Sequence, residues 1–160
     1  MLTLVLGGAR SGKSEVAERL AGDGPVTYVA TGTATDAGMA DRIERHRRRR
    51  PASWVTVEVD GHGRLAQTLL DLDGPVLLDS LTTWVAAAAD FEQDADDLCA
   101  ALAKRTGDTV VVSDEVGLGV SPSTDVGNRF RDALGLLNQR VAAAADDVLL
   151  VVAGRTLRLA

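Results

Sequence analysis

Residues 7 to 14 read Gly7-Gly8-Ala9-Arg10-Ser11-Gly12-Lys13-Ser14, a complete G-x-x-x-x-G-K-[ST] phosphate loop. Before it, Leu2-Thr3-Leu4-Val5-Leu6 reads as a buried strand, and after it Ser14 to Leu20 reads as a helix. That order restricts the fold more than any other feature of the chain, because the loop works only as the turn between a parallel strand and its crossover helix. Glycines at 7, 8 and 12 allow a tight turn whose N–H groups face a phosphate, and the N-terminus of the following helix adds positive potential. Lys13 is placed to reach the terminal phosphates of a nucleoside triphosphate, and the Ser14 hydroxyl to ligate Mg²⁺.

The remaining chain suits this frame. Strand-like runs occur at Val26–Ala30, Trp54–Val59, Val76–Asp79, Thr109–Ser113 and Val148–Ala153, with Thr156–Leu159 as a hairpin strand after Gly154-Arg155. Helical segments are expected over about 36–49, 62–71, 81–89, 92–105 and 126–145. Asp36 and Asp125 are the expected N-caps, while Gly22 and Gly107 follow helix ends. Short, continuously apolar strands alternating with helices predict a three-layer α/β fold of the phosphate-loop NTPase type with a mainly parallel sheet. Its 160 residues suffice for one nucleotide-binding domain spanning 1–160. The Ala-rich patches at Ala86–Ala89 and Ala142–Ala145 are read as close helix packing.

Composition removes other classes. The net charge of −6 argues against a general nucleic-acid surface. No apolar run is long enough for a membrane span, and Met1 leads straight into the first strand, so a cytoplasmic location is expected. The single Cys99 sits in an Ala/Leu helix and reads as a packing residue.

Ligands of doubly wound sheets lie at the carboxyl ends of strands. Val76-Leu77-Leu78-Asp79 closes on a carboxylate, the pattern of an aspartate that supports Mg²⁺, and also that of a helix N-cap. Val110-Val111-Val112-Ser113 runs into Asp114-Glu115, either of which could bind metal, assist a hydroxyl nucleophile or cap the turn. Tyr28-Val29-Ala30-Thr31-Gly32-Thr33 is a third strand end, whose hydroxyls and glycine could line a nucleotide pocket or simply form a turn.

Arg42-Ile43-Glu44-Arg45-His46-Arg47-Arg48-Arg49-Arg50-Pro51 is a basic island in an acidic chain. Such runs often form solvated helix faces. Here the run also holds His46 one helical turn from Arg42 and Arg50. Surrounding guanidinium groups disfavour protonation of the imidazole, and the neutral ring is the nucleophilic form. Arginines that lower its charge can also align a polyphosphate for attack. His62, between Gly61 and Gly63, reads as part of an exposed turn.

These motifs together resemble the bifunctional adenosylcobinamide kinase/adenosylcobinamide-phosphate guanylyltransferase family of cobalamin assembly. The resemblance rests on Gly7 to Ser14 and on Arg42-Ile43, His46-Arg47, Arg50-Pro51-Ala52, Trp54, Thr56 and Glu58. It continues through Leu77-Leu78-Asp79-Ser80-Leu81-Thr82, Glu115-Val116-Gly117-Leu118-Gly119, Phe130-Arg131-Asp132, Asn138-Gln139-Arg140 and Ala142 to Asp146. It implies that His46 carries GMP covalently. It also implies that the guanine-nucleotide site comprises the phosphate loop, Thr31, Gly32, Thr33, Arg47, Arg48, Arg49, Arg50, Glu58 and Asp79. GTP or ATP would be the phosphoryl donor, with Mg²⁺ on Ser14 and Asp79. Adenosylcobinamide and its phosphate would be the acceptors, and the enzyme would be a homotrimer. The chain departs from the family form at Asp114, where Asn is often found, in the short Ala-rich stretch after Trp84, and in Ser121-Pro122-Ser123-Thr124-Asp125.

Two other functions use the same loop. A different small-molecule kinase would need no covalent histidine. A GTP-binding module could use Asp114-Glu115-Val116-Gly117 as its D-x-x-G, yet the chain contains no Asn-Lys-x-Asp guanine signature.

Overall fold

The computed structural model describes residues 1–32, 50–59 and 64–159. The expected helix over 36–49, with Asp36 as its cap, and the His62 turn lie outside these residues, as does the start of the helix expected over 62–71. In chain order the elements are β1 (Leu2–Gly7), α1 (Lys13–Ala21), β2 (Thr27–Ala30), β3 (Val55–Glu58), α2 (Leu65–Asp71) and β4 (Val76–Asp79). They continue with α3 (Leu81–Ala87), α4 (Ala95–Lys104), β5 (Thr109–Asp114), α5 (Asp125–Ala144), β6 (Asp147–Val152) and β7 (Arg155–Leu159). The strands form one sheet in the order β3-β2-β4-β5-β1-β6-β7. Every neighbouring pair is parallel except β6 and β7.

Strand periodicity divides the core into two faces. Leu4, Leu6, Val29, Leu78 and Val111 point toward Leu65 and Leu69 of α2, Leu81 and Trp84 of α3, Leu98 and Leu102 of α4, and Leu134, Leu137 and Val141 of α5. Val5, Tyr28, Leu77, Val110, Val112 and Val151 face the other way, onto Val16 and Ala17 of α1. The central strands β1, β4 and β5 are therefore apolar on both sides, which is why they read as unbroken hydrophobic runs. β3 and β7 stand at the edges and are largely exposed. Arg105, just past α4, stitches the helical layer: it donates to the carbonyls of Leu69, Leu72 and Gly74 and to Thr109 Oγ1.

Several local expectations are corrected. Thr124, not Asp125, caps α5, because its hydroxyl accepts from the Gly127 N–H at 3.1 Å. Asp125 becomes an acid of the first turn, where it complements the helix dipole. Arg105 is the C-cap of α4, so Gly107 lies in the loop beyond it. The β6–β7 turn consists of Ala153 and Gly154, both at positive φ (49° and 73°), which suits the twist of a two-residue hairpin. The strand expected over Val148–Ala153 thus ends at Val152, and β7 begins at Arg155. Ala86, Ala87 and Ala89 are exposed in the single chain, so that patch is no helix seam. In the second patch Ala142 and Ala145 do pack against the core, while Ala143 and Ala144 face outward. Cys99 packs half-buried on α4, and burial pushes its thiol pKa up.

Candidate active site

The phosphate loop leaves the central strand β1 at its carboxyl end and runs into α1. Gly7 must be glycine for want of space: a Cβ there would stand 2.5 Å from Ser11 Oγ and 2.8 Å from the Val151 carbonyl oxygen. Gly12 must be glycine for its backbone, with φ at 93° as it caps α1. Arg10 also takes the left-handed region, with φ at 58°. Alternation of left- and right-handed residues turns successive N–H groups to one side, which builds an anion-binding concavity. Main-chain bonds brace the loop from three directions. Ser11 N–H donates to the Gly8 carbonyl at 3.2 Å, Glu115 N–H to the Gly7 carbonyl at 3.1 Å, and Gly154 N–H to the Ser11 carbonyl at 2.7 Å. The hairpin Gly154 is a supporting residue that sequence reasoning missed.

The two acids at the end of β5 separate. Asp114 forms an ion pair with Lys13 Nζ, in which both side chains are mostly buried. Its main chain is clamped on both sides: its N–H donates to Thr82 Oγ1 at 2.8 Å, and its carbonyl accepts from Asn138 Nδ2 at 3.1 Å. Glu115 caps its own turn, accepting from the Gly117 N–H at 2.6 Å. Asp114 therefore belongs to the phosphate site and Glu115 to the loop that follows.

Asp79 is not a helix cap. Ser80 caps α3 through a reciprocal box with Thr83. The Asp79 carboxylate accepts from the Tyr28 hydroxyl at 2.9 Å. Tyr28 is buried, and its pKa is pushed far above the usual tyrosine range, first by burial and then by the charge of Asp79. It thus stays an O–H donor. The Arg50 guanidinium lies 3.6 Å from the centre of the Tyr28 ring and donates to Thr56 Oγ1 at 3.2 Å. Tyr28, the chain's only tyrosine, lies two residues before the end of a site strand, and its hydroxyl, one of those expected to face a nucleotide pocket, is engaged by Asp79.

Register aligns the other strand ends. Ala30 pairs with Glu58 on one side and Asp79 on the other, so these two acids lie level at the carboxyl edge, one strand apart. Glu58 is exposed there. Thr31 is buried, with its hydroxyl donating to the Ser80 carbonyl at 2.6 Å and lying 2.7 Å from Thr83 Oγ1. Its side chain thus fixes the β2–β4 edge, not an open pocket. Gly32 packs against Thr83, where a Cβ would come within 3.2 Å of Thr83 Cγ2. Ser14 stands half-buried in the first turn of α1. Thr33, His46, Arg47, Arg48 and Arg49 lie outside the described residues.

A family model for cobinamide kinase / cobinamide phosphate guanyltransferase matches residues 3–159. The chain belongs to that family. The bifunctional adenosylcobalamin biosynthesis protein CobU of Salmonella typhimurium is 42% identical over 175 aligned residues, covering 96% of this chain and 97% of its own. The Escherichia coli protein of the same name is 40% identical over 175 residues, again with 96% and 97% coverage. The corresponding protein CobP of Pseudomonas aeruginosa is 40% identical over 167 residues, with 96% and 94% coverage. Among solved structures, a prototypical ATPase from the type III secretion system of pathogenic bacteria superposes with a TM-score of 0.57 at 14% identity. The match covers 93% of this chain and half of that one, and it supports the phosphate-loop α/β fold alone. No helix among the described residues is long and apolar enough to cross a membrane.

Proposed function

We propose that this chain phosphorylates adenosylcobinamide with GTP or ATP and then transfers GMP from GTP to adenosylcobinamide phosphate. The observation that carries this reading is a full-length family match combined with a braced phosphate loop whose lysine is held at the edge of the sheet. In the kinase step the acceptor hydroxyl oxygen attacks the γ-phosphorus, the bond to the nucleoside diphosphate breaks, and the hydroxyl proton is lost to a base. Lys13 and the loop N–H groups hold the phosphates and offset the charge that develops on them.

The second activity runs through His46. A neutral imidazole nitrogen attacks the α-phosphorus of GTP, forming a nitrogen–phosphorus bond as the bond to pyrophosphate breaks. A phosphate oxygen of adenosylcobinamide phosphate then attacks the same phosphorus and releases His46, leaving adenosylcobinamide-GDP. Dividing the transfer in this way is covalent catalysis. Arg47, Arg48, Arg49 and Arg50 supply charge around the triphosphate, while Gly32, Thr33 and Glu58 line the guanine-nucleotide side and Thr31 supports them from the buried β2–β4 edge.

Ser14 and Asp79 are the residues that would hold Mg²⁺. No group of three or more His, Cys, Asp or Glu side chains that could hold a metal occurs among the described residues. A hydroxyl and one carboxylate suit an ion that takes its remaining ligands from phosphate oxygens and water. When bound, the ion would neutralise phosphate charge. A homotrimer in the cytoplasm completes the proposal.

The test is incubation with α-labelled GTP and Mg²⁺. The expected result is label on the protein that withstands base and is released by acid, as a phosphorus–nitrogen bond to imidazole is. No adduct would remove the transferase half of the reading. Retained phosphorylation of adenosylcobinamide without an adduct would instead indicate a plain kinase.

A further inference from the structure

Resting on the two activities above, we propose that Tyr28 is a positioning residue shared by both: its ring carries Arg50, and its hydroxyl holds Asp79. The two contacts leave opposite parts of one buried side chain. The guanidinium of Arg50 sits 3.6 Å from the ring centre, and the hydroxyl is 2.9 Å from Asp79 Oδ2. Arg50 closes the basic run that contains His46, so its seat sets where that run rejoins the sheet. Asp79 ends the strand that β2 pairs with, and Tyr28 reaches it from the level of Leu77, two residues back.

Tyr28 is itself well anchored. Its ring belongs to the cluster formed by Val16, Ala17, Val26 and Leu77, with Trp54 packed beside it. A planar guanidinium over an aromatic face gains both electrostatic and stacking energy while its N–H groups donate in its own plane, as Arg50 does to Thr56. A phenol that donates to a carboxylate fixes the orientation of the carboxylate plane. One side chain therefore ties the position of Arg50 to the orientation of the strand-end carboxylate.

Two substitutions in the full-length chain pull the contacts apart. Tyr28→Phe keeps the ring and deletes the bond to Asp79, whereas Tyr28→Leu deletes both. Two quantities are measured: the Mg²⁺ concentration for half-maximal binding of a fluorescent non-hydrolysable GTP analogue, and the rate of GMP adduct formation at saturating Mg²⁺. With a charge-assisted hydrogen bond lost, both variants should need roughly tenfold more Mg²⁺. With the cation–π seat lost, Tyr28→Leu should form adduct roughly fivefold more slowly than Tyr28→Phe. Should Tyr28→Leu fail to fold, Arg50→Lys keeps the charge but loses the planar stack from the other side, and should show a loss of the same order. Equal adduct rates in Tyr28→Phe and the variant lacking the stack would overturn the Arg50 half. An unchanged Mg²⁺ requirement in Tyr28→Phe would overturn the Asp79 half. Absence of adduct in the parent protein would instead count against the proposed function, and the binding measurement would still decide the Asp79 contact.

Discussion

The phosphate loop and the Tyr28–Arg50 corner lie on the same edge of the sheet, but they are held by different means. Around the loop, main-chain groups do the bracing: Gly7, Ser11, Glu115 and Gly154 are joined through N–H and carbonyl contacts. At the corner, side chains do it, with Tyr28, Arg50, Asp79 and Thr56 each contributing a terminal group. A backbone-built site depends on a few positions where glycine is required and tolerates change elsewhere. A side-chain site spread across β3, β2 and β4 depends on the identity of every member. The central site is set by strand pairing and by the main-chain bonds around it. The corner includes Arg50, the last residue of the basic run that holds the proposed nucleophile.

Four experiments bear on that contrast. The largest effect is expected for His46→Ala, which should abolish the GMP adduct and guanylyl transfer yet leave phosphorylation of adenosylcobinamide measurable. An adduct that persists in this variant would put the nucleophile outside the basic segment. Lys13→Ala should lower both activities, on the order of 10² to 10³-fold, because in the proposed scheme both use the triphosphate at the central loop. Kinetics in which only one activity fell would mean that the two chemistries do not share that loop.

Asp114→Asn probes the central site more gently. The carboxylate that pairs with Lys13 is an internal competitor for it, and removing its charge should tighten nucleotide binding by roughly two- to fivefold. Calorimetric titration with a non-hydrolysable nucleotide measures this, and weaker binding would show that Asp114 orders Lys13 instead of competing for it. The smallest effect concerns the corner. Tyr28 has a folded-state pKa raised above the tyrosine value of 10.0, so its contribution to stability is fully present below that pH. It is lost as pH rises further, because the unfolded chain ionises its tyrosine while the fold keeps the proton. Since Tyr28 is the only tyrosine, absorbance near ~295 nm should show no phenolate in the folded protein at about pH 10.5. Tyr28→Phe should flatten the alkaline fall of stability.

Much of the molecule was legible in the chain itself. The eight residues from Gly7 to Ser14 determined the strand–loop–helix at its centre, because Gly7 answers a local demand of space and Gly12 one of φ. Apolar runs such as Val76-Leu77-Leu78 determined which strands are buried on both faces, since only central parallel strands can bury every side chain. The likeness extending from the first strand to the last determined the family. Tertiary structure decided what no spacing reveals, namely which acid meets which base. Asp114 and Glu115 are adjacent in sequence, yet strand alternation turns one to Lys13 and leaves the other to its own turn. Ser80 took the helix cap and left Asp79 to Tyr28, a partner 51 residues away whose role follows only from the pairing of β2 with β4. The physical reason is range: propensity and turn chemistry act over a few neighbours. Partnership between charged groups depends instead on sheet order and register, which exist only once the whole chain has folded.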